Sequence, residues 1–91
     1  MIKDEKIAMI VGASSAYSYK KKNPYAENER IMRHVMMDIK AGRDVKIVGI
    51  AAANFVINYL NRNPKATEKE VMQNLANETG KILSSIKDQI G

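Results

Sequence analysis

The run from Val45 to Leu60, VKIVGIAAANFVINYL, has only Lys46, Asn54 and Asn58 as strongly polar side chains. A helix of that composition is apolar around most of its circumference and needs cover on several sides, which makes it the expected centre of the core. After Pro24, the side chains of Tyr25, Ile31, Met32, Val35, Met36 and Ile39 recur at helical spacing. Glu27, Arg30, Arg33, His34 and Asp38 fall largely on another side. That is the pattern of a surface helix, stopped at Gly42, with Asp44 placed to cap the helix that follows. Thr67 and Glu70 have the spacing of a capping box. Beyond them Val71, Met72, Leu75, Ile82, Leu83, Ile86 and Ile90 continue one apolar stripe, so a single long helix is expected despite a cost of about 1 kcal/mol for Gly80 inside it. Residues 6–15 and 45–50 are short apolar runs that periodicity alone fits to strand or helix.

These elements predict an all-α four-helix bundle with helices over Lys3–Lys22, Pro24–Ala41, Val45–Asn61 and Glu68–Gln89, in a single helical domain, 1–91. The chain also resembles itself. NPYAENERIMRHV, Asn23 to Val35, is answered forty residues later by NPKATEKEVMQNL, Asn63 to Leu75. IVGASSA, Ile10 to Ala16, is answered by IVGIAAA, Ile47 to Ala53, at a spacing of 37. The expectation is two pseudo-symmetric αα-hairpins from an internal duplication, with repeat units 7–42 and 44–91. In each unit the Asn-Pro pair ends one helix, because proline has no N–H, and suits the first turn of the next. Gly12 with Ala16, and Gly49 with Ala53, are small at i and i+4, so the two apolar helices are expected to meet closely there, at the pseudo-symmetric centre.

A hydrophobic fraction of 45% with 27% charged residues is that of a folded chain. At this length, however, folding hides only about 60–65% of the unfolded surface, so association between copies would add stability. Neither Ile7–Tyr19 nor Val45–Leu60 reaches the roughly twenty apolar residues that span a bilayer. Asp4 and Glu5 stand where a secretory leader carries positive charge. The expectation is a cytoplasmic protein without membrane insertion.

Candidate chemistry is sparse. KIAMIVGASS, Lys6 to Ser15, resembles the opening strand and glycine turn of short-chain dehydrogenases. In that family two further glycines admit the cofactor pyrophosphate; here those positions are Ala16 and Ser18, and 91 residues are too few for the sheet and substrate site. No cofactor is expected. The chain has one histidine, His34, and no cysteine, so metal-ligand spacing is absent. Ser14 and Ser15 have no base near them in sequence. Asn77-Glu78-Thr79 matches a glycosylation acceptor, but inside a predicted helix. These features predict a non-enzymatic protein.

Binding is the alternative to catalysis. Met32, Met36 and Met37 lie within six residues, and flexible thioethers suit irregular cores and adaptable contacts alike. Met32 and Met36 are expected in the core and Met37 on the surface. An interaction or homodimerisation module, using the apolar and Met-rich faces towards a second copy or another protein, is therefore the leading expectation.

The charge of +5 supports a second one. Met1 to Lys46 holds ten Lys/Arg against six Asp/Glu, which points to nucleic acid and to a basic hairpin, 20–46, using Lys20, Lys21, Lys22, Arg30, Arg33, Lys40 and Arg43. YSYKKKNPY, Tyr17 to Tyr25, interleaves three rings with three cations, as stacking on unpaired bases requires. From Tyr59 onwards the chain also resembles the helix-turn-helix of winged-helix regulators, with Val71, Leu75 and Ile82 at apolar positions and Lys81, Ser84 and Ser85 towards a groove. That resemblance implies DNA binding through segment 67–86. Against it, Ala76 stands where glycine usually makes the turn, Asn77 at an apolar position and Ser85 at a core one.

Overall fold

The structure is a computed structural model describing the backbone of residues 3–40 and 42–90 and the side chains of 5–40 and 42–84. It contains four helices and, among the described residues, no strand: α1 (Lys3–Lys22), α2 (Asn28–Asp38), α3 (Arg43–Arg62) and α4 (Glu68–Ile90). Both ambiguous apolar runs, 6–15 and 45–50, are helical.

Small residues decide where the helices meet. Ala8, Gly12, Ala13 and Ala16 on α1 are buried, as are Gly49, Ala52 and Ala53 on α3. With little side chain between them, these two helices form the most extensive contact in the fold. A Cβ on Gly12 would run into the Gly49 carbonyl group, and one on Gly49 would lie 2.8 Å from the Ala8 carbonyl oxygen. The helices run parallel: Ile7 and Ala8 lie near Val45 at one end, and Lys20 and Lys21 near Leu60 and Pro64 at the other. α2 and α4 each pack against both α1 and α3 but, among the described residues, not against each other. The bundle is thus pinched along one diagonal. Its radius of gyration, 12.2 Å, is that of a compact chain of this length.

Burial follows the stripes read from the sequence. Ile31 and Val35 of α2 with Ile39 at its end, and Val71 and Leu75 of α4, are buried against Val48, Val56, Ile57 and Leu60 of α3 and the alanines of α1. Ile82 and Leu83 pack against this core, whereas the side chains of Ile86 and Ile90 lie outside the described residues.

The two Asn-Pro turns bond alike. In one turn Asn23 N–H donates to the Tyr19 carbonyl (2.8 Å), Asn23 Nδ2 to the same carbonyl (3.1 Å) and Ala26 N–H to Asn23 (3.0 Å). Asn63, Tyr59 and Ala66 make the same three bonds at 2.8, 3.2 and 3.0 Å. Buried positions also recur at a spacing of forty: Ala8, Met9, Gly12, Ala13, Ala16, Ile31 and Val35 correspond to Val48, Gly49, Ala52, Ala53, Val56, Val71 and Leu75. The 37-residue match of the two IVG segments therefore aligns residues that touch, Gly12 and Gly49, rather than residues in equivalent places.

Several local expectations are corrected. α2 starts at Asn28, not Pro24. Pro24 and Tyr25 sit in the turn, and Glu27 is still extended (φ −69°, ψ 152°), so the proline ends α1 without opening α2. Tyr25, outside the helix, is 98% exposed instead of joining the apolar stripe. The helix ends at Asp38, capped by Ile39, and Ala41 lies outside the described residues. Asp44 does not cap α3: Gly42 holds that position, and Asp44 stands in the first turn, where its charge still favours the helix dipole. Thr67 accepts the Glu70 N–H at 3.2 Å, as the capping box requires of it. α4 passes through Ala76, Asn77 and Gly80 without a break, which removes the turn that a helix-turn-helix in segment 67–86 would need. The Ser85 side chain of that motif lies outside the described residues.

Candidate interaction surfaces

Along α1 the buried residues Ala8, Gly12, Ala16 and their neighbours occupy one side, which leaves Ile7 and Ile10 pointing outward at 49% and 50% exposure. Ile10 borders a groove between α1 and α4 of about 390 Å³, lined also by Lys6, Met9, Met72, Leu75, Ala76 and Thr79. Only Lys6 and Thr79 among these carry polar side chains. Forty residues earlier, Met36 of α2 stands where α4 has Ala76, and the buried Ile39, just past the end of α2, where α4 has Thr79. The groove lies where the second hairpin has the smaller side chains.

The methionines differ in exposure. Met32 is half-buried and packs on the core; Met36, expected in the core, is 44% exposed. At 100° per residue, Met37 points nearly opposite the Ile31–Val35–Ile39 stripe, and it is 72% exposed, as expected.

The basic residues divide between the two ends of the bundle. Lys20, Lys21 and Lys22 form the last turn of α1, where cations complement the helix dipole. Lys21 donates to the Pro64 carbonyl at 3.0 Å and lies 5.5 Å from the centroid of the Tyr17 ring. Arg30 is exposed, and exposed Arg33 is paired with Glu29 at 2.7 Å. Lys40 and Arg43 stand at the far end of the eleven-residue α2, about 16 Å away along its axis. The expected basic hairpin, 20–46, is thus not one patch.

One polar cluster has little signal in the sequence. Ser15, buried on α1, donates its hydroxyl to Asp38 Oδ2 at 2.7 Å, and His34 Nε2 lies 3.4 Å from the same oxygen. The His34 ring also rests against Tyr19, with centroids 4.6 Å apart, so the histidine is half-buried rather than free on a polar face. Ser15 and Asp38 are 23 residues apart, and only the register of α2 on α1 joins them. Because the carboxylate accepts the serine proton, the imidazole neighbours Asp38 and is not set up as the base for a serine nucleophile. In the second hairpin the equivalents are Phe55, Asn74 and Glu78: Phe55 stacks near Tyr59 and Asn74 donates to the Tyr59 hydroxyl at 3.1 Å.

No family model, curated protein or solved structure matches this chain. The surfaces themselves carry the functional reading. Among the described residues there is no group of three or more His, Cys, Asp or Glu side chains able to hold a metal, and no helix long and apolar enough to cross a membrane.

Proposed function

We propose that this chain is a non-enzymatic interaction module, built from a duplicated αα-hairpin, that forms a homodimer through the outer face of α1 and the α1/α4 groove. The observation that carries the reading is the placement of exposed Ile10, with exposed Ile7 one turn before it on α1, beside a groove with Ala76 in its wall. A two-fold interface must contain both the projection and the recess that receives it, and this surface has the two side by side. The common forty-residue spacing of turn bonds and buried positions supports the duplication. It also explains the recess, since the first hairpin carries Met36 and Ile39 at the matching places.

The energetics require both features. Covering the exposed halves of four isoleucine side chains across a two-fold is worth about 3–6 kcal/mol, against about 8 kcal/mol for a micromolar dimer. The apolar lining of the groove has to supply the remainder.

The test is solution mass by light scattering at micromolar to tens of micromolar concentration. A dimer of about 20 kDa, twice 10.2 kDa, is expected, nearly unchanged by salt. Ala76→Met, which introduces the side chain that α2 carries at the matching position, and Ile10→Lys should each leave a folded monomer by circular dichroism. Met37→Lys should leave the dimer intact. A wild-type monomer throughout this range would overturn the reading, and loss of the dimer only with Met37→Lys would move the interface to α2.

A further inference from the structure

Parallel packing of α1 and α3 brings both Asn-Pro turns to one end of the bundle, where Lys20, Lys21, Pro24, Leu60, Asn61 and Pro64 line a cleft of about 260 Å³. The charge of the chain is concentrated here. Residues 20–30 and 60–70 together hold seven Lys/Arg (Lys20, Lys21, Lys22, Arg30, Arg62, Lys65, Lys69) and four Glu (Glu27, Glu29, Glu68, Glu70), so they supply three of the five net positive charges. Lys22, Arg62 and Lys65 are exposed and bracket the cleft in sequence on both sides. Tyr25 stands on the first turn and is 98% exposed, whereas Tyr17, Tyr19 and Tyr59 pack on the core.

The turns under these groups are fixed. Each is closed by the asparagine side chain, and the Lys21 bond to the Pro64 carbonyl ties one turn to the other. A cationic surface with an uncovered ring on a hydrogen-bonded turn matches what an unpaired nucleotide offers: a phosphate for the cation and a base face for the ring. We propose that the turn end binds single-stranded nucleic acid without sequence preference, with Tyr25 stacking on a base and Lys20, Lys22, Arg62 and Lys65 facing phosphates. This surface goes beyond the dimer reading and stands on the opposite end of α1 from Ile7. It excludes Lys40 and Arg43, which lie at the other end of the bundle.

The test is fluorescence anisotropy of a labelled 15-nucleotide mixed-sequence DNA strand titrated with the full chain, with its duplex and heparin as competitors. With about four phosphates neutralised, raising salt from 50 to 200 mM should weaken binding about 50-fold. Tyr25→Ala should weaken it at least about fivefold and Tyr25→Phe little, since a stacked base is worth about 1–3 kcal/mol. Lys22→Gln with Lys65→Gln should lower the salt slope by about 1.4. The duplex, whose bases are already stacked, should compete more weakly than the single strand. Absence of binding at 50 mM salt overturns the proposal. So does a Tyr25→Ala variant with unchanged affinity and equal competition by duplex and heparin, which would leave a merely basic surface.

Discussion

Gly12 and Gly49 face each other across the α1/α3 contact so closely that a Cβ on Gly12 would meet the Gly49 carbonyl carbon at 2.8 Å. The obstacle is backbone, which cannot swing aside as the end of a side chain can. Gly12→Ala should therefore separate the two central helices and destabilise the fold by about 1–3 kcal/mol, within the range of overpacked cores. Urea unfolding followed by circular dichroism measures this directly. A variant as stable as the parent would show that the close approach is not maintained.

Gly80 should behave in the opposite way. It lies inside α4 with nothing within 4 Å of the place a Cβ would occupy. Gly80→Ala should raise stability by about 0.5–1 kcal/mol, because alanine loses less backbone freedom on entering a helix. The same urea titration, with an unchanged slope, is the check.

The two hairpins differ in how their second helices begin. Thr67 caps α4 through the Glu70 N–H, while Glu27, at the matching position before α2, makes no side-chain cap bond. Thr67→Ala should cost about 1 kcal/mol, and Glu27→Thr should gain a smaller amount, up to about 1 kcal/mol. Thermal unfolding of both variants should show midpoints shifted in opposite directions.

Ser15→Ala should remove about 1 kcal/mol through loss of the bond to Asp38, which is half-exposed and can turn to water. Glu29→Ala should change stability by less than about 0.5 kcal/mol, because its partner Arg33 is as exposed as it is. A larger loss at Glu29 than at Ser15 would reverse the ranking of buried and surface polar contacts.

Residue chemistry explains which parts of this fold were legible in the sequence. The helical stripes and the approach of α1 to α3 could be read because apolar spacing and the pairs Gly12/Ala16 and Gly49/Ala53 act locally. The start of α2 is not legible because proline is permitted in a first helical turn, and nothing within Asn23–Glu27 alone rules that out. Placing Glu27 on Thr67 through the forty-residue sequence match gives the observed start at Asn28. The Ser15–Asp38 bond and the α1/α4 groove depend on how one helix is rotated against another, a relation that the periodicity of either helix leaves open. The exposure of Met36 is hidden for a similar reason, since it lies at the margin of the buried stripe and its exposure depends on the tilt of α2.

The glycine contact also bears on the order of folding. Its partners are 37 residues apart, so closing that loop costs more entropy than forming either hairpin turn, where Tyr19 and Asn23, or Tyr59 and Asn63, are four apart. Hairpins that assemble first and join afterwards would leave the glycine contact unformed at the rate-limiting barrier. Gly12→Ala would then accelerate unfolding while leaving the refolding rate nearly unchanged.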